Sequence, residues 1–228
     1  MVNAPLDDAT VIDSYPWPTA TWVRALMVLN LDGDVAGPDG SSRSISGPAD
    51  RQVLSACRRF ADAVVIGAQT MRAEVYSPMR MSAERQEARR AEGLAPAPRL
   101  VIVTASLDLP WSADAFHISD LPPLILAAAS APADRQASVP ATCELVLAPG
   151  SVLEPAWIIQ TLVGSGLRRI LLEGGPHVLR QMAAAGCVDE WALTVSGIVD
   201  EQHFRPVLAR PQDEFVFTRF VRDGKESS

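Results

Sequence analysis

The residues best suited to chemistry stand just past short apolar runs. Glu173-Gly174-Gly175-Pro176-His177 is the sharpest case. Adjacent glycines let another molecule approach the backbone closely, because no Cβ intervenes. Pro176 suits the first position of a helix, so the N–H groups after it form an outward-facing helix mouth. A dinucleotide pyrophosphate fits that geometry. Glu173, where the run meets a cleft, offers a carboxylate that accepts hydrogen bonds from a polar ring. A tight β–α turn accounts for the same residues and stays open as an alternative.

Three other run ends carry weaker signals. Gly67-Ala68-Gln69-Thr70 reads as a helix N-terminus, with Thr70 either a plain cap or part of an anion site. Thr104-Ala105-Ser106 places two hydroxyls where they hold a phosphate or cap a loop. Asn30-Leu31-Asp32-Gly33 is a turn, followed by a Gly-rich loop with hydroxyls at Ser41, Ser42, Ser44 and Ser46. Asp32 is the nearest proton-donor candidate, and a turn aspartate that orders its loop is the competing reading. No G-x-G-x-x-G, Walker A or G-x-S-x-G sequence occurs, which disfavours a standard Rossmann, P-loop or hydrolase site. No histidine pairs with Asp or Glu at metal-ligand spacing, so no metal is expected.

Composition narrows the classes. The chain has 228 residues with a formal charge of −7. Hydrophobic residues at 48% and charged ones at 21% exclude global disorder. An acidic balance without a Lys/Arg run argues against nucleic acid. No 18-residue apolar stretch is present, so no membrane span is expected. Cys57, Cys143 and Cys187 are far apart and read as reduced thiols, with the cytoplasm as the default compartment.

These residues need elements to position them. Apolar runs at 22–30, 63–66, 100–104, 124–129, 144–148 and 169–172 read as strands. Helical patterns follow Pro48 and cover 155–164 and 178–185. Residues 82–93 read as a solvated helix. Runs 189–196 and 214–221 alternate, which predicts antiparallel edge strands. The fold class is therefore α/β, with a mixed, mostly parallel sheet flanked by helices and late antiparallel strands. Residues 1–20 read as an irregular arm pinned by Tyr15 and Trp17, and 21–228 as a single domain.

Six segments carry a family resemblance: Leu31-Asp32-Gly33, Ser46 to Asp50, Arg58 with Ala61-Asp62-Ala63, Gly67 to Glu74, Arg99 to Thr104, and Glu173 to Pro176. Val188-Asp189-Glu190 completes the series. In this order they resemble the pyrimidine reductase domain of riboflavin biosynthesis, which has the dihydrofolate-reductase-like fold. The resemblance implies NADPH as cofactor and a pyrimidine ribosylamine phosphate, of the 5-amino-6-(5-phosphoribosylamino)uracil type, as substrate. It implies hydride transfer to the ring-opened ribosyl carbon. Val28, Ser44, Thr70, Glu74, Thr104 and the run Gly174, Gly175, Pro176, His177, Val178, Leu179, Arg180 and Gln181 would lie along the dinucleotide. Ser42, Arg58, Pro78, Arg80 and Glu173 would face the substrate, Arg58 clamping its phosphate. The resemblance also implies a homodimer, and a strained or cis peptide at Gly174–Gly175.

The departures are specific. The zinc deaminase signature of bifunctional relatives is absent, so deamination is not expected. Ser44 stands where many relatives have Trp, and Glu74 where they have Asp. Tyr76-Ser77-Pro78-Met79-Arg80 replaces the usual P-x-L-T-x-R segment. No Lys or Arg directly follows Thr104, so a preference for NADPH over NADH rests on the Thr104 and Ser106 hydroxyls or on an arginine from elsewhere. Two rivals remain: a pterin or other heterocycle reductase on the same fold, and a dinucleotide-binding protein that catalyses nothing.

Overall fold

The computed structural model describes residues 8–74, 76–199, 202–212 and 215–222. Its main sheet comprises β1 (Trp22–Leu29), β2 (Ala63–Gly67), β3 (Arg99–Thr104), β4 (Leu124–Ala127), β5 (Glu144–Leu147), β6 (Arg169–Gly174) and β7 (Glu190–Val195). The helices are α1 (Asp8–Ser14), α2 (Pro48–Arg59), α3 (Ala68–Ala73), α4 (Ala83–Ala91), α5 (Ala133–Ala137), α6 (Pro155–Gly164) and α7 (Pro176–Ala184). Strand order is β5-β4-β3-β2-β6-β1-β7. The late strand β6 is thus inserted between β2 and β1, and its end stands at the middle of the sheet's carboxyl edge.

Alternation along the strands builds two apolar layers. Val23, Ala25, Val65, Val101, Val103, Ile170 and Leu172 face Ile158, Leu162, Val178 and Met182 of α6 and α7. Leu26, Val64, Ile66, Leu100, Ile102 and Leu171 face Cys57 of α2, Met71 of α3, Leu107 and Phe116. Both faces are covered, so β2, β3 and β4 read as nearly unbroken apolar runs, as a buried parallel sheet requires. α2 begins with Pro48 at its first position and Asp50 in its first turn, where Ser46 Oγ donates to the Asp50 carboxylate at 2.6 Å.

Three expectations need correction. The run at 189–196 forms β7, which lies parallel to β1, and every described pairing in the seven-stranded sheet is parallel. Alternation marks a strand with one face exposed, which an edge strand has in either direction. Antiparallel pairing occurs elsewhere: β9 (Gln202–Gln212) pairs with β8 (Ile198–Val199) and with β10 (Phe215–Arg222) in a separate three-stranded sheet. Glu214, the start of the expected second strand, lies outside the described residues. The arm is not irregular throughout, because residues 8–14 form α1. Finally, α4 is not solvated on all sides. Arg89 is fully buried and donates to the carbonyls of Ala95, Arg59 and Ala61, closing the carboxyl end of α2.

The arm is fastened by a second buried arginine. Arg24 of β1 is 1% exposed. Its guanidinium donates to the carbonyls of Tyr15 and Pro16 at 3.1 and 2.7 Å, and its Nε lies 2.8 Å from the Glu190 carboxylate. The Trp17 ring lies 4.3 Å from the guanidinium carbon, and Trp17 Nε1 donates to the Cys57 carbonyl. Tyr15 and Trp17 do pin the arm, and the cation between them is the reason. Arg24→Ala strands these carbonyls and Glu190, and should lower unfolding free energy by about 3 kcal/mol. Urea denaturation checks this, together with faster proteolysis within residues 8–20.

Candidate functional site

The carboxyl edge of β1, β2, β3 and β6 gathers most of the expected residues. At β6 the register breaks: Val65 pairs with Leu172, but Ile66 pairs with Gly174. Glu173 is the extra residue. Two residues beyond Leu171, its side chain lies on the face that packs against α2.

The Glu173 carboxylate, 6% exposed, meets Arg58 of α2 and Tyr76. Arg58 Nε donates to Oε1 at 2.6 Å, and Nη2 donates to Oε2. The Tyr76 hydroxyl donates to Oε2 at 2.5 Å and accepts from Arg58 Nη2 at 2.9 Å. The guanidinium also stands 5.5 Å from the Tyr76 ring centre. Burial, above all, raises the Tyr76 hydroxyl well above the ordinary phenol value, with Arg58 opposing and Glu173 adding to the rise. Burial by itself depresses the Arg58 guanidinium, but Glu173 and Tyr76 outweigh it and leave Arg58 above its usual value. The trio is one cation, one anion and one neutral phenol. Arg58 and Tyr76 both keep their protons across the physiological range.

Beside it is the helix mouth. Gly174 and Gly175 have φ of 126° and 54°, and the peptide between them is trans, so the cis alternative does not hold. These dihedrals suit glycine alone and turn β6 directly into α7. Leu179 N–H donates to the Gly175 carbonyl at 3.1 Å. Pro176 has no N–H, and among the described residues nothing accepts from His177 or Val178 N–H. A Cβ on Gly175 would stand 3.1 Å from Thr70 Oγ1, and one on Gly67 would stand 2.9 Å from Val178 Cγ2. Glycines therefore let the starts of α3 and α7 meet. The N–H groups of His177 and Val178 at the start of α7 fit a pyrophosphate.

The remaining expected residues divide. Thr70 adjoins both glycines. Glu74, at the end of α3, grips the loop after β1: it accepts from Ser41 Oγ, Ser42 N–H and Ser42 Oγ at 2.8, 2.8 and 3.0 Å. Ser44 donates to Asp39 at 2.8 Å within the same loop. Val178 and Leu179 point into the core, so only their backbone faces outward, while His177, Arg180 and Gln181 are exposed. Thr104 is buried and its hydroxyl accepts from Leu107 N–H at 3.1 Å. Val28 and Pro78 are half-buried. Arg80 is exposed and lies 3.7 Å from Asp120. Asp32 is exposed on a turn that Asn30 orders instead, by accepting from Asp32 and Asp34 N–H. Tyr76 was not legible as a site residue, since a lone aromatic in a Pro-containing segment signals nothing until folding brings it to Arg58. Burial pushes the Cys57 thiol up to about 11, which suits an inert core thiol. No cluster of metal-binding side chains occurs among the described residues, and none of their helices is long and apolar enough to cross a membrane. A shallow hollow of about 420 Å³ lined by Pro149, Val152 and Trp157 adjoins the end of β5, four strand positions from β6, and contains none of these groups.

The RibD C-terminal domain family matches residues 21–199. A 2,5-diamino-6-ribosylamino-4(3H)-pyrimidinone 5′-phosphate reductase of Methanothermobacter thermautotrophicus is 28% identical over 181 residues, 78% of this chain and 80% of that protein. The reductase of the same name from Archaeoglobus fulgidus is 25% identical over 169 residues, 74% of this chain and 77% of that one. In structure, a pyrimidine reductase-like protein of Corynebacterium diphtheriae superposes with a TM-score of 0.70 at 22% identity, covering 90% of this chain and 93% of that one. Acinetobacter baumannii RibD gives 0.61 at 18% identity, covering 89% of this chain and 58% of that one.

The Gly67–Val178 contact yields a test of how the helix mouth is built. Gly67→Ala should destabilise the chain by about 1–3 kcal/mol through overpacking. Val178→Ala in the same chain should recover much of that loss, so the two changes are strongly non-additive in denaturant unfolding. Simple additivity would show that the helices do not meet there.

Proposed function

The chain belongs to the RibD C-terminal domain family, and from that premise we propose that it is an NADPH-dependent reductase of a pyrimidine ribosylamine phosphate in riboflavin biosynthesis. The substrate is of the type named for the curated relatives, 2,5-diamino-6-ribosylamino-4(3H)-pyrimidinone 5′-phosphate, or its uracil counterpart. One observation carries the reading: Glu173, bound to Arg58 and Tyr76, is followed at once by the two glycines that lead into α7. A substrate-binding cluster and a pyrophosphate cradle are thus joined through a single residue.

The chemistry that bound NADPH would supply is a hydride for the ring-opened ribosyl carbon. The chain's own residues orient the reactants. His177 and Val178 N–H would hold its pyrophosphate at the start of α7. Glu173 and Tyr76 hold Arg58 by Nε and Nη2, and its Nη1 hydrogens remain to contact the substrate. Glu74 fixes the loop at Ser41 and Ser42 beside α3. Holding two reactants at near-attack distance accounts for as much as about 7–11 kcal/mol of a bimolecular barrier. No side chain is assigned as an obligatory proton donor. A pterin reductase would need the Glu173 carboxylate for the ring, whereas here both oxygens are engaged by Arg58 and Tyr76.

The homodimer reading draws on β7. Trp191, Leu193 and Val195 are 49%, 51% and 45% exposed on an edge strand, an apolar row that a second copy would cover. The free cysteines suit the reducing cytoplasm.

Purified protein should oxidise NADPH when supplied with the pyrimidine ribosylamine phosphate, and not with dihydrofolate. Tight NADPH binding without turnover of any such substrate would favour the non-catalytic reading instead. Glu173→Gln removes the charge that orients Arg58. It should raise KM for the pyrimidine about ten- to a hundredfold, as expected for loss of a charge-assisted bond, while NADPH affinity measured by fluorescence changes little. For the assembly, analytical ultracentrifugation should show a dimer that Trp191→Lys converts to monomer.

A further inference from the structure

Nicotinamide dinucleotides come in two forms that differ by one phosphate on the adenosine ribose. A protein that selects the phosphorylated form needs a guanidinium or ammonium group with spare donors at that position. The segment after β3 supplies no basic residue in its first positions, and the Thr104 hydroxyl is engaged by Leu107.

The strand order brings a candidate from elsewhere. The carboxyl ends of β6, β2, β3 and β4 form a row. At roughly 4.8 Å per strand, the ends of β3 and β4 lie about 10 and 14 Å from the glycine turn of β6. That is a nucleoside's reach from a pyrophosphate at α7. α5, which follows β4, carries Arg135, half-buried, whose Nη1 donates to the Ser106 carbonyl at 3.2 Å. This single bond anchors the guanidinium to the loop after β3. It leaves Nε and Nη2, the edge that grips a phosphate through two parallel bonds. No carboxylate among the described residues pairs with Arg135. The other guanidinium on this loop is already engaged: Arg72 donates to the Asp108 carbonyl at 2.6 Å and lies 3.9 Å from the Asp108 carboxylate.

We propose that Arg135 is the specificity-determining residue that selects a 2′-phosphorylated dinucleotide, with Ser106 beside it. This rests on the cofactor reading above. The test is calorimetric titration of the full chain with 2′,5′-ADP and 5′-AMP, which differ only in the 2′-phosphate, alongside NADP⁺ and NAD⁺. Wild type should prefer 2′,5′-ADP and NADP⁺. Arg135→Ala should weaken 2′,5′-ADP at least tenfold and leave 5′-AMP within twofold, with an unchanged circular dichroism spectrum. Arg135→Lys should recover part of the loss, and Arg72→Ala should have a smaller effect than Arg135→Ala. Equal loss of both nucleotides in Arg135→Ala and Arg135→Lys, or loss of neither, overturns the assignment. So does a wild type that binds 2′,5′-ADP and 5′-AMP alike while still binding NAD⁺. A wild type that binds none of the four ligands overturns the cofactor reading itself.

Discussion

In β6, Ile66 of the neighbouring strand pairs with Gly174 and skips Glu173. The rest of the site depends on that skipped residue. Glu173 lies two residues beyond Leu171, on the face of the sheet that packs against α2. From that face its carboxylate reaches Arg58 and Tyr76, and the chain then has two glycines in which to turn into α7. Alternation thus aims the carboxylate, and the glycines that follow it open the helix mouth. Glycine is required on both sides of the junction. Gly175 has φ of 54°, and a Cβ there would meet Thr70, while one on Gly67, on the neighbouring strand, would meet Val178.

Electrostatics explain why the trio can be so little exposed. An unpaired carboxylate at 6% exposure would pay heavily for lost hydration. Arg58 neutralises it through a two-point fork, and Tyr76 supplies a further donor to the same oxygen. The phenol stays protonated because burial disfavours its anion. Net charge in the cluster is zero, so Arg58 presents directed N–H donors rather than a bare positive field. Elsewhere the same logic is structural. Arg24 and Arg89 are also deeply buried, yet their terminal nitrogens donate to main-chain carbonyls, where they join the arm to β1 and α4 to α2, with Glu190 beside Arg24 Nε.

Glu74 links the loop after β1 to the start of this machinery. Its carboxylate takes three donors from Ser41 and Ser42, so a loop that looks flexible by composition is anchored at the end of α3. α3 itself begins at Gly67, against α7. The loop, α3 and the helix mouth are therefore mechanically connected through Gly67, Thr70 and Glu74.

Much of this was legible from residue types and spacing. Apolar runs ending in glycine or hydroxyl residues located the strands and the edge that matters, because a buried parallel strand needs continuous apolar sequence and a strand-to-helix turn needs glycine. The Glu173-Gly174-Gly175-Pro176 sequence located the helix mouth for the same reason. What local pattern cannot carry is partner choice. Alternation marked 189–196 as an edge strand but not its direction, since side-chain period is the same in both. The solvated reading of 82–93 failed at Arg89, because a long side chain can be buried when distant carbonyls converge on its donors. Tyr76 beside Arg58 and Glu173, and Arg135 beside Ser106, join segments far apart in the chain. Only the crossing that inserts β6 between β2 and β1, and the sheet order that sets α5 next to the loop after β3, decided those meetings.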